Sequence, residues 1–104
     1  MTVAEWLDAR TPRAPELLDR QLRAAIADSF DEPADAFPST ALQTAEAIVR
    51  DLLLAPPKSR EGATALLVAD ALVTYACEYD AAHPESVDRA AHDAIIRLAA
   101  LARS

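Results

Sequence analysis

Residues 63–77 read ATALLVADALVTYAC, and twelve of these fifteen residues are apolar; Thr64, Asp70 and Thr74 are the exceptions. A helix that is apolar around most of its circumference has to be surrounded by neighbouring elements. At 100° per residue, Asp70 and Thr74 fall together on one side of the helical wheel, and Val68 and Leu72 fall on the opposite side. The stretch therefore predicts the central helix of a bundle, with one narrow polar stripe.

The composition of the whole chain predicts the same architecture. The 104 residues include 25 alanines and 13 leucines, which favour helices, but only five valines, four isoleucines and one glycine. This length corresponds to one ordinary domain. We therefore expect residues 1–104 to form a single all-α domain, a compact bundle of four substantial helices preceded by a short N-terminal helix.

Caps and prolines divide the chain into these five helices. Thr2 and Glu5 have the spacing of a capping box, which predicts a short helix over about 3–10. A second helix is expected from Pro15 to about Ser29, followed by a loop over 31–38 in which Phe37 can be buried. A third is expected to begin at Ser39 or Thr40, with a buried stripe of Leu42, Ala45, Ile48, Val49, Leu52 and Leu53. The fourth is predicted from Ser59 to about Ala82 and the fifth from Pro84 or Ser86 almost to the end.

The charge distribution limits the classes of partner. The formal charge is −7, and Lys and Arg form no local cluster of the kind that binds phosphate backbones or anionic membranes. Most of the excess negative charge lies in residues 26–57, so a partner steered by electrostatics would be basic. No apolar run reaches the ~20 residues of a membrane span. We expect a cytoplasmic, acidic protein with no nucleic-acid partner; abundant arginine and alanine suggest a bacterial source.

The polar stripe of the central helix is the first candidate site. Asp70, Thr74, Cys77 and Glu78 lie along one side of this helix, where they can line a groove for a ligand's cation or a partner's arginine. The alternatives are that Asp70 reaches water or forms an internal ion pair with Arg50, Arg60, Arg89 or Arg97. Cys77, the sole cysteine, is expected to be a small packing residue, since no histidine or asparagine has a spacing that marks a nucleophile.

Two further sets of residues are candidates for binding. Tyr75 and Tyr79 lie one turn apart and offer apolar area with a polar tip, so they can anchor an interface or pack in the core. The fifth helix presents Ile95, Leu98 and Leu101 on one side, and these complete the candidate interface. Glu85, Asp88 and His92 share a face of the same helix and have the residue types of a divalent metal site; an ordinary solvated face is the alternative, and no cofactor is predicted.

No catalytic signature is present in the sequence. It contains no glycine-rich phosphate loop, nucleophile elbow or paired cysteine motif. We therefore expect a noncatalytic helical interaction module, such as a small subunit, adaptor or regulator, that forms a homo-oligomer or binds a basic protein. A bundle this short cannot bury a composition that is 52% apolar, which favours this hypothesis. The alternative is a small-molecule or metal-binding bundle, with enzymatic activity as one form of it.

Overall fold

The computed structural model describes residues 1–55 and 60–103, without the side chains of 86–90, 93, 94 and 103. Its α-helices are α1 (Val3–Ala9), α2 (Glu16–Ala25), α3 (Phe37–Leu54), α4 (Arg60–Ala82) and α5 (Pro84–Arg103). Two 3₁₀ turns, Ala27–Ser29 and Ala34–Ala36, connect α2 to α3. The predicted fold class is confirmed, since the described residues form an all-α bundle of four substantial helices with a short helix in front.

The helix boundaries agree with the sequence except at the end of α2 and the start of α3. The expected end of α2 near Ser29 was wrong, because the α-helix stops at Ala25 and a 3₁₀ turn occupies Ala27–Ser29. The Thr2 and Glu5 capping box forms, with hydrogen bonds of 3.1 and 3.2 Å between each backbone N–H and the other side chain. The prediction that α3 begins at Ser39 or Thr40 was wrong. The 3₁₀ turn runs directly into the helix, and Pro38 lies in the first turn, where a missing N–H removes no helical hydrogen bond. The predicted cap Ser59 lies outside the described residues.

The N-terminus is held by the backbone of the connection between α2 and α3. The N–H of Val3 donates to the carbonyl of Glu32 at 2.9 Å, and that of Ala4 donates to Phe30 at 3.2 Å. In return, the N–H of Ala34 donates to the Met1 carbonyl at 2.9 Å. The first amides of a helix have no partner within the helix, so these bonds satisfy groups that water would otherwise have to reach. They fix α1 against the segment that leads into α3.

Helix α4 lies at the centre of the core, and α3 is its main neighbour. The predicted inward face is confirmed, because Val68, Ala69, Leu72 and Ala76 are all buried. Among the described side chains, the buried residues come from every helix but α5: Val3, Leu7, Leu22, Ile26, Ala34, Phe37, Ala41, Ala45, Val68, Ala69, Ala71, Leu72, Tyr75, Ala76 and Tyr79. Alanines on both α3 and α4 allow these two helices to approach closely.

The opposite side of the α3 and α4 pair is open. The predicted buried stripe of α3 was wrong at Leu42, Val49 and Leu53, which are exposed. The described contacts of helix α5 are few and mainly with α4, and its residues Ile95, Ile96, Leu98 and Leu101 are also exposed. The radius of gyration is 15.5 Å, whereas a compact chain of this length has about 13 Å. The chain thus has a closed side built by α1 and α2 and an open side that presents apolar residues.

The closed side gives a direct test of the core within one helix. Leu22 is fully buried and Leu17 is exposed, although both lie on α2. We expect Leu22→Ala to lower the free energy of unfolding by about 2 to 5 kcal/mol, because it removes packed methyl groups and leaves a cavity. The matched control Leu17→Ala should cost less than about 1 kcal/mol. Urea unfolding followed by circular dichroism measures both, and equal losses would contradict the assigned packing of α2.

Candidate interaction groove

A groove between α3 and α4, with a volume of about 790 Å³, is the most extensive apolar depression that the described residues line together. Its α3 side includes Leu42, Val49 and Leu53, and its α4 side includes Leu66 and Val73. The remaining lining residues are Ala45, Glu46, Arg50, Leu54, Ala69 and Asp70. Apart from three charged side chains, the lining is aliphatic.

Short residues form the floor of the groove and long ones form its walls. Ala45 and Ala69 are both buried. An alanine side chain ends at Cβ, so the leucines and valines on either side extend beyond it. Leu53 is 77% exposed and Leu54 is 78% exposed at the end of α3. Exposed apolar residues in a contiguous patch, unlike single ones scattered over a surface, mark an interaction site.

The charged residues of the groove lie on both of its helices. Glu46 and Arg50 pair with each other at 2.8 Å across one turn of α3. Asp70 is exposed on α4, and no other described side chain forms an ion pair with it. The structure therefore agrees with the interpretation that Asp70 reaches water; the side chain of Arg89, one of its predicted partners, lies outside the described set. A cationic group bound in the groove would find one carboxylate that no other described side chain pairs with.

The four residues of the predicted polar stripe do not share one environment. Asp70 lines the groove, Thr74 and Cys77 are exposed further along α4, and Glu78 binds Arg10. Two hydrogen bonds join the Arg10 guanidinium to the Glu78 carboxylate, at 2.6 Å from Nε and 2.8 Å from Nη2. The sequence did not indicate this partner, because the two residues are 68 positions apart and nothing in a helical pattern relates them.

The Arg10 side chain joins α1 to α4 through three kinds of contact. Besides Glu78, it donates from Nη1 to the Pro12 carbonyl at 2.8 Å and lies 3.5 Å from the centre of the Tyr75 ring. The hydrogen bonds from Arg10 lower the pKa of Glu78, and those to Glu78 raise the pKa of Arg10. A planar guanidinium matches a carboxylate in two-point geometry and stacks on an aromatic face. This cluster is a clamp between helices.

The candidate interface residues divide between the two sides of the molecule. Tyr75 and Tyr79 are buried. Tyr79 contacts Trp6 edge to face, with ring centroids 5.5 Å apart, and it also stacks on the His83 ring at 4.0 Å. Ile95, Leu98 and Leu101 are exposed on α5. The tyrosines thus pack within this chain, whereas the three α5 residues are exposed to solvent.

The metal candidates fall partly outside the described residues. Glu85 and His92 are exposed on α5, and the side chain of Asp88 lies outside the described set. His83 places Nδ1 2.8 Å from the Tyr79 carbonyl oxygen. Among the described side chains, no group of three or more histidine, cysteine, aspartate or glutamate residues is placed to hold a metal ion.

The α3 residues Leu42, Val49 and Leu53, which line the groove, were predicted from the sequence to be buried. Their helical spacing indicates an apolar face, and spacing does not tell whether the chain itself covers that face. One signal was present in the width of the apolar face of α3. At 100° per residue, Ala41 and Leu42 lie about 100° apart on the wheel, with Ala45 and Val49 between them. So broad an apolar face on α3, beside an almost wholly apolar α4, requires more neighbours than the described part of the chain supplies.

Comparisons with known proteins add no family or fold relative, because no family model, curated protein or solved structure matches this chain. Within the described residues, no helix combines the length and the apolar character required to cross a bilayer.

The clamp predicts a pH dependence of stability. Because Arg10 depresses the folded-state pKa of Glu78, this carboxylate stabilises the fold fully above the ordinary glutamate pKa of about 4.3. Its contribution is lost as the pH falls through the depressed value. We expect Glu78→Gln to destabilise the protein by about 1 kcal/mol at pH 7; the loss is no larger because Glu78 is partly exposed to water. The same substitution should have less effect below about pH 3.

Glu16→Gln is the matched control for this measurement. Glu16 pairs with Arg20 across one turn of α2, and both side chains are largely exposed. Such a pair contributes little, so its loss should change stability by less than about 0.5 kcal/mol at either pH. Chemical unfolding at both pH values gives the comparison, and an equal effect of the two substitutions at pH 7 would show that the clamp adds no more than a surface pair.

Proposed function

We propose that this chain is a noncatalytic helical interaction module that self-associates through the α3–α4 groove. The main observation in support is that the chain covers only part of the apolar surface of α4. Leu66, Leu67 and Val73 are exposed on a helix whose apolar circumference requires neighbours on several sides. A docked helix would cover the groove side of α4 and the aliphatic residues of α3 together.

The accessible area of the chain supports the same proposal. It is 7168 Å², whereas a compact monomer of this mass exposes about 5,700 Å². The difference is about 1,500 Å² per chain. Permanent homodimers bury about 2,000 Å² or more in total, that is about 1,000 Å² from each subunit. The excess surface is thus large enough for a stable interface.

The groove fits a helix better than a small polar ligand. Its volume of about 790 Å³ lies within the range of small-molecule pockets. That observation favours the alternative, a ligand-binding bundle. The groove is nevertheless open along its length, and its charged side chains are Glu46, Arg50 and Asp70, of which the first two pair with each other. An apolar helix with a cation at its edge would pack against the aliphatic walls and pair with Asp70. A basic partner protein could supply such a helix, and this is the second form of the proposal.

The oligomeric state of matched variants tests the proposal. We expect the protein to be a dimer by sedimentation equilibrium. Leu66→Asp, in the groove, should weaken the dimer by about 2 kcal/mol or more, because the interface would bury a carboxylate without a partner. Leu66 is 54% exposed, so the single chain should keep its helical circular dichroism.

Leu17→Asp is the control, because Leu17 is 59% exposed on α2 and does not line the groove. This variant should remain as dimeric as the unmodified protein. A protein that is monomeric at every accessible concentration would contradict self-association. Equal dissociation by both variants would contradict the assignment of the interface to the groove.

A further inference from the structure

Helix α5 presents a row of large apolar side chains that are exposed to solvent. Ile95 and Leu98 are each 65% exposed, and Leu101 is 70% exposed. These residues are spaced three apart, so they lie along one side of the helix. The same chain therefore contains a helix with an exposed apolar side and an apolar groove that could bind such a helix.

The lengths of the two surfaces match. The groove residues of α3 run from Leu42 to Leu54. This is about 18 Å at 1.5 Å per residue. The apolar side of α5 runs from Ala91 to Leu101, about 15 Å by the same measure. One α5 helix is thus long enough to occupy most of the groove.

Among the described residues, α5 contributes none to the lining of the groove of its own chain, and its connection to α4 is short. His83 alone separates α4 from α5, whereas antiparallel neighbouring helices are usually joined by about 2 to 5 residues. His83 is held on α4 by stacking on Tyr79 at 4.0 Å and by donation of its N–H to the Asp80 carbonyl at 3.1 Å. Pro84 then begins α5 with a fixed φ. This short, fixed connection favours a second chain as the occupant.

The charge of α5 is compatible with a second copy of this chain. Residues 84–104 contain three acidic residues and three arginines, so the whole formal charge of −7 resides in residues 1–83. Two whole chains repel each other at long range because they have the same sign. A neutral α5 can enter the acidic body of another copy without adding to this repulsion.

We infer that two copies of this chain exchange α5, each placing Ile95, Leu98 and Leu101 in the α3–α4 groove of the other. The inference rests on the proposed function and names the occupant of the groove. Both contacts use the same pair of surfaces, so the exchange closes on a two-fold axis and leaves no free groove to extend a filament. It also accounts for both sets of exposed apolar residues with one interface.

The first test places one charge on each side of α5 in the full-length protein. Leu98→Glu should raise the dimer dissociation constant at least about tenfold, because the carboxylate would be buried against the groove walls. Ala100 is also exposed but lies on the other side of the helix, so Ala100→Glu should leave the constant within about threefold. A Leu98→Glu protein that dimerises normally would overturn the exchange, and the groove could still be the interface.

The second test identifies the occupant by cross-linking in a Cys77→Ser background. Val49→Cys lies near the middle of the groove and Ile95→Cys near the middle of the α5 face, so the choice does not depend on the direction of the docked helix. A ¹⁵N-labelled Val49→Cys chain is mixed with an unlabelled Ile95→Cys chain and oxidised with copper phenanthroline. We expect a mixed disulfide dimer as the main product by mass spectrometry.

Two other products would overturn the exchange of α5, and they differ in whether self-association through the groove is retained. A Val49→Cys homodimer as the main product would show that two grooves face each other, which preserves self-association. A Val49→Cys, Ile95→Cys double variant that closes an intramolecular disulfide in dilute solution would show that α5 folds onto its own chain. If sedimentation also gave a monomer, both the exchange and the proposed function would be wrong.

Discussion

The apolar circumference of α4 is the constraint on which the rest of the structure depends. A helix with Leu66, Leu67 and Val73 on one side and Val68 and Leu72 on the other cannot be satisfied by one layer of neighbours. The chain supplies α1, α2 and part of α3 to one side. What remains on the other side is an apolar groove, and the need to cover it leads from the fold to the proposed function.

The closed side is specified by polar contacts as well as by apolar burial. The backbone of residues 30–34 binds the first amides of α1, and Arg10 binds Glu78 from the other end of that helix. These directional contacts hold Trp6 against Phe37 and Tyr79. The groove lacks an equivalent network, since its main polar contact is the Glu46 and Arg50 pair within one helix. Few directional contacts and many aliphatic side chains are typical of a surface that packs against another helix.

The sequence predicts local structure better than it predicts the coverage of each surface. Caps and prolines predicted the five helices, and the helical wheel predicted the buried side of α4, because both depend on residues close together in the chain. The predicted start of α3 was wrong because the 3₁₀ turn at Ala34–Ala36 joins the helix directly. The groove and the Arg10 partner of Glu78 depend on which helices meet. Periodicity distinguishes an apolar face from a polar one, and for Leu42 and Val49 it could not tell a core from an interface.

Hydrogen exchange measured at several protein concentrations tests most directly whether the groove is an interface. Backbone amides of an isolated, exposed helix such as α5 open readily, whereas those of a docked helix are protected by the stability of the complex. If α5 of a second copy occupies the groove, peptides from α5 and from the groove half of α3 gain protection as the protein concentration rises, and peptides from α1 and α2 change little. Protection of α5 that does not depend on concentration would contradict this docking.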